Sequence, residues 1–263
     1  MPLEEYERLI DDNTAIVFVD YVSWITGYRE RIREIAETAH ARGAVLISDA
    51  FHAVGVLPID VTKDGVDVLI TGSYKWLLGP HGAGFVYVSD ELLSRLKPSL
   101  SGWMGGIDDN QVSRRLRSEK LFERPIDIST YVPAKDAARL EWGGTWPIIA
   151  FEGTLASMKL LLKYEVPHRF EEHTSKLIMR LADSLGGDLG LKITTPLNSH
   201  AAILTFEYSD PPYGLAEFLS RNGIVVSPRP GTIRVSPHGY NTVEEIERLI
   251  EALRAYIRSR LNQ

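Results

Sequence analysis

The chain has 263 residues, 44% hydrophobic and 24% charged, with a net charge of −6; this is the balance of a packed, soluble globule of one large or two smaller domains. The negative balance argues against a nucleic-acid partner. No apolar run is long enough for a membrane span, and the acidic opening Met1-Pro-Leu-Glu-Glu-Tyr-Glu7 has no signal-peptide pattern, so a cytoplasmic location is expected. There are no cysteines, which removes disulfides, thiolate metal sites and a cysteine nucleophile.

In chain order, residues 3–12 read as a short acidic helix. Thr14–Asp20 is a continuous apolar, β-branched run, the pattern of a buried strand. A loop, 21–28, leads to a helix over Arg29–Arg42, with Ile32, Ile35, Ala36 and Ala39 at helical spacing and Gly43 as its stop. A strand at 44–48 completes a strand–helix–strand unit, which predicts parallel pairing. Val66–Ile70 and Gly84–Val88 read as two more strands, and Asp90–Leu96 as a short helix with Asp90 near its cap. Residues 97–133, punctuated by Pro98, Gly102, Gly105, Gly106 and Pro125 but carrying interspersed aromatics, are expected to be a long functional loop region. After the glycine-rich turn 141–147, Pro147 fits the first turn of a helix running to about Lys163. A second long helix, Val166–Leu185, has Phe170, Leu177, Ile178 and Leu181 on one face. The tail predicts strands at Ala201–Phe206, Ile224–Val226 and Thr232–Ser236 and a helix over Gly214–Asn222. A closing helix follows over Thr242–Arg260, begun by the capping box Thr242-Val-Glu-Glu245. The pattern divides at about residue 150, into a large domain (1–150) and connecting helices with a small C-terminal α/β domain (151–263).

Two strand ends hold the chemistry. Val45-Leu-Ile-Ser-Asp-Ala-Phe-His52 is a hydrophobic strand ending in Asp49, with His52 three residues on. Val66–Thr71 leads into Gly72-Ser-Tyr-Lys75, followed by a loop with Gly79, Gly82 and Gly84. An acid and a lysine at the ends of neighbouring strands point to a site at the carboxyl edge of an open α/β sheet, where burial lowers a lysine's pKa and makes it a nucleophile. The glycines lack the strand-to-helix context of a dinucleotide fingerprint; they are expected to give room for close backbone approach near the lysine. No His/Asp/Glu grouping has metal-ligand spacing.

Asp49-Ala-Phe-His52 followed by Ser73-Tyr-Lys75 resembles the fold-type I enzymes that use pyridoxal 5′-phosphate (PLP), in the class V aminotransferase branch. Ser73-Tyr-Lys-Trp76 and Ser101-Gly-Trp-Met-Gly105 are most similar to kynureninase and its relatives, and the order of motifs is kept over nearly the whole chain. The resemblance implies a mostly parallel large-domain sheet, a small C-terminal α/β domain and a dimer with sites at its interface. It assigns Lys75 as the Schiff-base lysine, Asp49 as the acid that keeps the pyridine nitrogen protonated, and His52 as the histidine near the ring. It gives Tyr74 to the cofactor phosphate, for which the Ser73 hydroxyl is a further candidate because a hydroxyl near a loop can bind a dianion, with Trp103 and Thr145 reaching a phosphate from the neighbouring subunit. It gives Arg234, in Gly231-Thr-Ile-Arg-Val-Ser-Pro-His-Gly-Tyr240, to the substrate α-carboxylate, which a guanidinium binds through two parallel hydrogen bonds.

The departures bear on substrate. Trp24 stands where several class V enzymes have an asparagine bonding the cofactor's phenolic oxygen, and Trp146 where kynureninases have an amide. Cysteine desulfurases of this class carry sulfur on a cysteine, which this chain does not have. Family members also carry a substantial portion ahead of the Asp20–Gly27 region, and this sequence lacks it. The expectation is therefore a PLP enzyme acting on an amino acid, by transamination or kynureninase-like C–C hydrolysis. It would be one half of a split enzyme whose N-terminal part is a separate polypeptide, assembled as a dimer or heterotetramer. The alternative is a non-catalytic scaffold or regulatory subunit that keeps the fold.

Overall fold

The computed structural model describes residues 1–100, 134–141, 146–208 and 212–261. The first half is built on a four-stranded sheet in the order β1-β2-β3-β4, comprising Ile16–Asp20, Val45–Asp49, Val68–Gly72 and Gly84–Val88. β1 and β2 are parallel, as are β2 and β3, with Asp20 in register with Asp49 and Asp49 with Ile70. Helix α1 spans Leu3–Leu9, and α2, Ile32–Ala41, buries Ile32, Ile35, Ala36 and Ala39. α2 packs on β2; its four-residue apolar stripe at helical spacing is what makes it a sheet-covering helix.

Among the described residues β1 is buried on one face only, whereas in β4 the successive residues Phe85 and Val86 are both exposed. Val17, Val19, Leu46 and Leu69 are buried, whereas the alternate residues Ile16 and Phe18 are 58% and 60% exposed. The continuous apolar run of β1 predicted burial on both sides; instead every second residue faces outward, on the face that also carries Asp20 and, by register, Val45, Ile47 and Asp49. A parallel sheet ordinarily has cover on both faces.

The C-terminal region is a second, antiparallel sheet in the order β5-β7-β6, formed by Leu204–Glu207, Thr232–Val235 and Ser227–Arg229. Helices α4 (Ile148–Lys163) and α5 (His168–Gly186) precede it; α6 (Pro212–Arg221) and α7 (Val243–Leu261) complete it. Leu177, Ile178, Leu181, Leu185, Phe206, Leu215, Ile233 and Ile250 form its fully buried core. The α7 capping box forms as read: Glu245 N donates to Thr242 Oγ1 at 3.3 Å and Thr242 N to Glu245 Oε2 at 3.0 Å. Two details differ from the sequence expectation. Ser89 caps α3 (Asp90–Arg95), its side chain accepting from Leu92 N, while Asp90 is already helical. β6 lies at 227–229 rather than 224–226, because as the edge strand of its sheet it can carry Pro228, whose missing N–H needs no ladder partner there.

Met1–Val86 and Ala150–Gln263 form one compact unit and Tyr87–Ile149 another. Within the first unit the loop 21–31 is laced to the C-terminal region. Ala201 N donates to Gly27 O at 3.1 Å, Thr205 Oγ1 to Ile25 O at 2.7 Å and Ser199 Oγ to Arg29 O at 2.8 Å. Gly27 permits the approach: its φ is +75°, and a Cβ there would lie 2.2 Å from Ile203 O. Among the described residues no helix is long and apolar enough to cross a membrane.

Candidate active site

The carboxyl ends of β1, β2 and β3 lie at one edge of the sheet, so Asp20, Asp49 and the turn after Gly72 come together there. Lys75 stands in that turn, which is pinned from several sides. Ser73 N donates to Ala83 O at 3.1 Å, and Gly79 N to Ser73 O at 2.9 Å. A Cβ on Gly79 would lie 2.6 Å from the Ser73 Cβ, and one on Gly84 would lie 2.7 Å from Thr71 O, so these two glycines let the backbone close around the lysine's turn. Beside the lysine, Trp76 is buried and stacked on His238, with ring centroids 5.4 Å apart, and His238 Nε2 donates to Trp76 O at 3.2 Å. His238 is in turn stacked on Tyr240 and met edge-on by Phe170. Sequence reading quoted this histidine only as part of the Arg234 motif.

Lys75, Asp49, His52, Tyr74 and Arg234 all line one cavity of about 270 Å³, together with Asp20, Trp24 and Arg229. The half-buried Lys75 amine is held below the ordinary lysine range by burial and by the guanidinium groups of Arg234 and Arg229, with Asp49 opposing. His52 is pushed down to about 4 by burial and then by Lys75, Arg234 and Arg229, so it is neutral at pH 7. Its Nδ1 is buried and has no partner among the described residues. Asp49 accepts from Phe51 N through Oδ1 at 2.9 Å, which leaves Oδ2 without a protein donor among the described residues. Asp20, its neighbour across the parallel pair, is raised by burial and by the Asp49 charge. A larger cleft of about 470 Å³, lined among others by the Arg29–Glu171 ion pair, holds none of these residues; the smaller cavity is the one with convergent chemistry.

Arg234 donates through NH1 to Trp24 O at 2.7 Å. Arg229 lies on the same face of the β6–β7 hairpin, since Ser227 pairs with Arg234 and Arg229 is two residues on. Its Cζ sits 5.2 Å from the centre of the Trp24 ring. Arg229 and Asp20 are the lining charges that the sequence reading did not single out. Ser73 is the predicted residue that stays outside the cavity: it is fully buried, and its hydroxyl hydrogen-bonds to Pro80 O at 2.6 Å and Ala83 O at 3.0 Å. Tyr74 is exposed and stacked on His81, with centroids 4.4 Å apart. Trp103 and Thr145 lie outside the described residues, while Trp146 is exposed. The cavity set is chemically suited to PLP: an amine of lowered basicity for the aldehyde, a carboxylate with a free oxygen for the ring nitrogen, and an unpartnered neutral imidazole.

The aminotransferase class-V family model matches residues 1–249. An uncharacterized aminotransferase, YcbU, of Bacillus subtilis is 32% identical over 255 residues, covering 97% of this chain and 63% of its own length. A kynureninase of Pseudomonas fluorescens is 33% identical over 145 residues, 53% of this chain and 33% of its own. Among solved structures, a C-DES mutant with glycine covalently linked to its PLP cofactor superimposes with a TM-score of 0.80 at 20% identity, covering 95% of this chain and 64% of that one. The chain thus spans somewhat under two thirds of the length of YcbU.

Proposed function

This chain belongs to the aminotransferase class-V family, and from that premise we propose that it is the catalytic-lysine part of a PLP enzyme acting on an amino acid. The observation that carries the reading is the meeting, in one cavity, of a lysine of lowered basicity, an aspartate with a free oxygen and an arginine. PLP, when bound, supplies an aldehyde that captures amines and a protonated ring that withdraws electrons from the substrate's α-carbon. Lys75 would be the residue that holds the cofactor through its amine, and the same amine would take and return a proton at the substrate's α-carbon. Asp49 Oδ2 keeps the proton on the ring nitrogen. His52, neutral and half-buried, packs at the ring without adding a charge that would compete with that proton. Arg234 binds the α-carboxylate and orients the α-carbon bond to be broken.

Two reactions would be open to the same site, transamination and kynureninase-like C–C hydrolysis, with Lys75 moving the proton and Arg234 holding the substrate carboxylate in either. Desulfuration through a protein cysteine would need a residue that this chain does not contain. Trp103 and Thr145 are proposed to reach a partner subunit's phosphate in a dimer or heterotetramer, and α4 exposes Phe151, Leu155, Leu160 and Leu162, the apolar area an interface of that kind needs. The uncovered face with Ile16 and Phe18 leads directly to Asp20 and Asp49, and we propose that a separate polypeptide completes the fold there and closes the cofactor site.

The test is PLP titration of the purified chain, followed by absorbance, with Lys75→Ala beside it. A cofactor band with wild type that Lys75→Ala abolishes is expected. Identical spectra for the two would favour a scaffold that keeps the fold without the chemistry. A full-strength band with turnover and no second protein would reject the split arrangement.

A further inference from the structure

We propose that Arg229 forms a second anion subsite beside Arg234, so that the amino-acid substrate carries an acidic group on its side chain as well as its α-carboxylate. This rests on the cavity being the substrate site described above. One arginine suffices for one α-carboxylate. Here two project from the same face of a short hairpin into the same cavity of about 270 Å³, and the register of Ser227 with Arg234 places them diagonally, not in sequence contact. Neither pairs with a carboxylate among the described residues, and the Nε of each is buried without an acceptor. With Lys75, the lining carries three basic side chains against Asp20 and Asp49, and Asp49 is the group reserved for the ring nitrogen.

Trp24 fixes both guanidinium groups by different means. Its carbonyl takes one NH1 hydrogen of Arg234 at 2.7 Å, and its ring lies under the Arg229 guanidinium at 5.2 Å. A flat guanidinium resting on an indole keeps its in-plane N–H groups free at the edges. That is the geometry for receiving a carboxylate through parallel hydrogen bonds. Two partly buried cations side by side without a counter-charge repel each other, and an acidic side chain on the ligand supplies the missing anion. The cavity is small, so the two acids must be separated by a short chain, as in a dicarboxylic amino acid.

The experiment uses the purified full chain and needs no cofactor. Binding of succinate and glutarate is compared with that of propionate and butyrate by saturation-transfer NMR and calorimetry, for wild type, Arg229→Gln, Arg229→Lys and Arg234→Gln, each checked by circular dichroism. The dicarboxylates are expected to bind wild type about tenfold or more tighter, the worth of one added charge-assisted contact. Arg229→Gln should erase that preference while monocarboxylates still bind. Arg229→Lys should keep part of it, and Arg234→Gln should weaken both ligand classes. Equal binding of mono- and dicarboxylates by wild type, no binding of either, or a preference that survives Arg229→Gln overturns the proposal. So does an Arg229→Gln variant whose loss is in PLP affinity, with the dicarboxylate preference intact, since Arg229 would then serve the cofactor phosphate. If dicarboxylates are preferred yet wild type takes up no PLP, the subsite stands and the enzyme reading falls.

Discussion

His52 gives the sharpest quantitative check on the electrostatics of the cavity. Its pKa falls from the ordinary 6.5 to about 4 because the ring is buried and faces Lys75, Arg234 and Arg229. In the unfolded chain it returns to about 6.5. The unfolded state therefore binds the proton first as pH falls, and folding loses stability from His52 as pH drops from about 6.5 to about 4, with nothing further lost below that. Above pH 6.5 the contribution is fully present. The difference of roughly 2.5 pH units corresponds to about 3 kcal/mol at most. The perturbation is pH itself, read by urea denaturation of wild type and His52→Gln at intervals from pH 7.5 to 4. Carboxylates such as Asp20 titrate in both proteins, so they cancel to first order in the comparison, and the stability gap between the two should change by about 2–3 kcal/mol over that window. Direct titration of the His52 ring proton by NMR should show no protonation at pH 6. Parallel stability curves, or a ring that titrates near 6.5, would refute the claim that three cations crowd this imidazole, and with it the charge balance on which the site is built.

Two further substitutions separate framework from chemistry. Ser73→Ala removes the hydroxyl bonds to Pro80 O and Ala83 O, of which Ala83 O keeps the residue-73 N–H, so it should cost about 1 kcal/mol in chemical denaturation with PLP affinity, measured on the folded protein, within about twofold of wild type; a selective loss of PLP affinity at unchanged stability would favour the phosphate role that the sequence suggested. His238→Ala removes the bond to Trp76 O and a three-ring contact with Trp76, Tyr240 and Phe170, and should cost about 2 kcal/mol or more while weakening PLP uptake through the displaced Lys75 turn. His238→Phe keeps the stack without the hydrogen bond and should recover part of both.

What the sequence revealed and what it concealed divide by range. Strand ends carrying Asp49 and Lys75 were legible because a hydrophobic run that stops at a charged residue is a local signal, and the parallel pairing β1-β2-β3 then brings those ends to one edge. The helices were legible for the same reason: the stripe Ile32, Ile35, Ala36, Ala39 and the Thr242–Glu245 box each lie within a few turns of chain. Ser73 shows where a local reading stops: a hydroxyl next to a lysine has the same appearance in sequence whatever it bonds to, and only the fold shows it on the carbonyls of Pro80 and Ala83, ten residues or fewer downstream. Arg229 was hidden by its neighbours: it stands between Pro228 and Pro230, residues that a ladder strand excludes, and only the edge position of β6 makes a strand of Ser227–Arg229. No local pattern joins it to Trp24, more than two hundred residues away, yet that contact is what turns an arginine on an edge strand into a member of the cavity. The outward face of β1 is the remaining case. The whole run was read as buried because a parallel sheet is ordinarily buried on both sides, and among the described residues β1 has cover on one side only. Ile16 and Phe18 are exposed on the face that carries the two aspartates, so whatever segment covers them would also lie beside the carboxyl edge where the site is proposed.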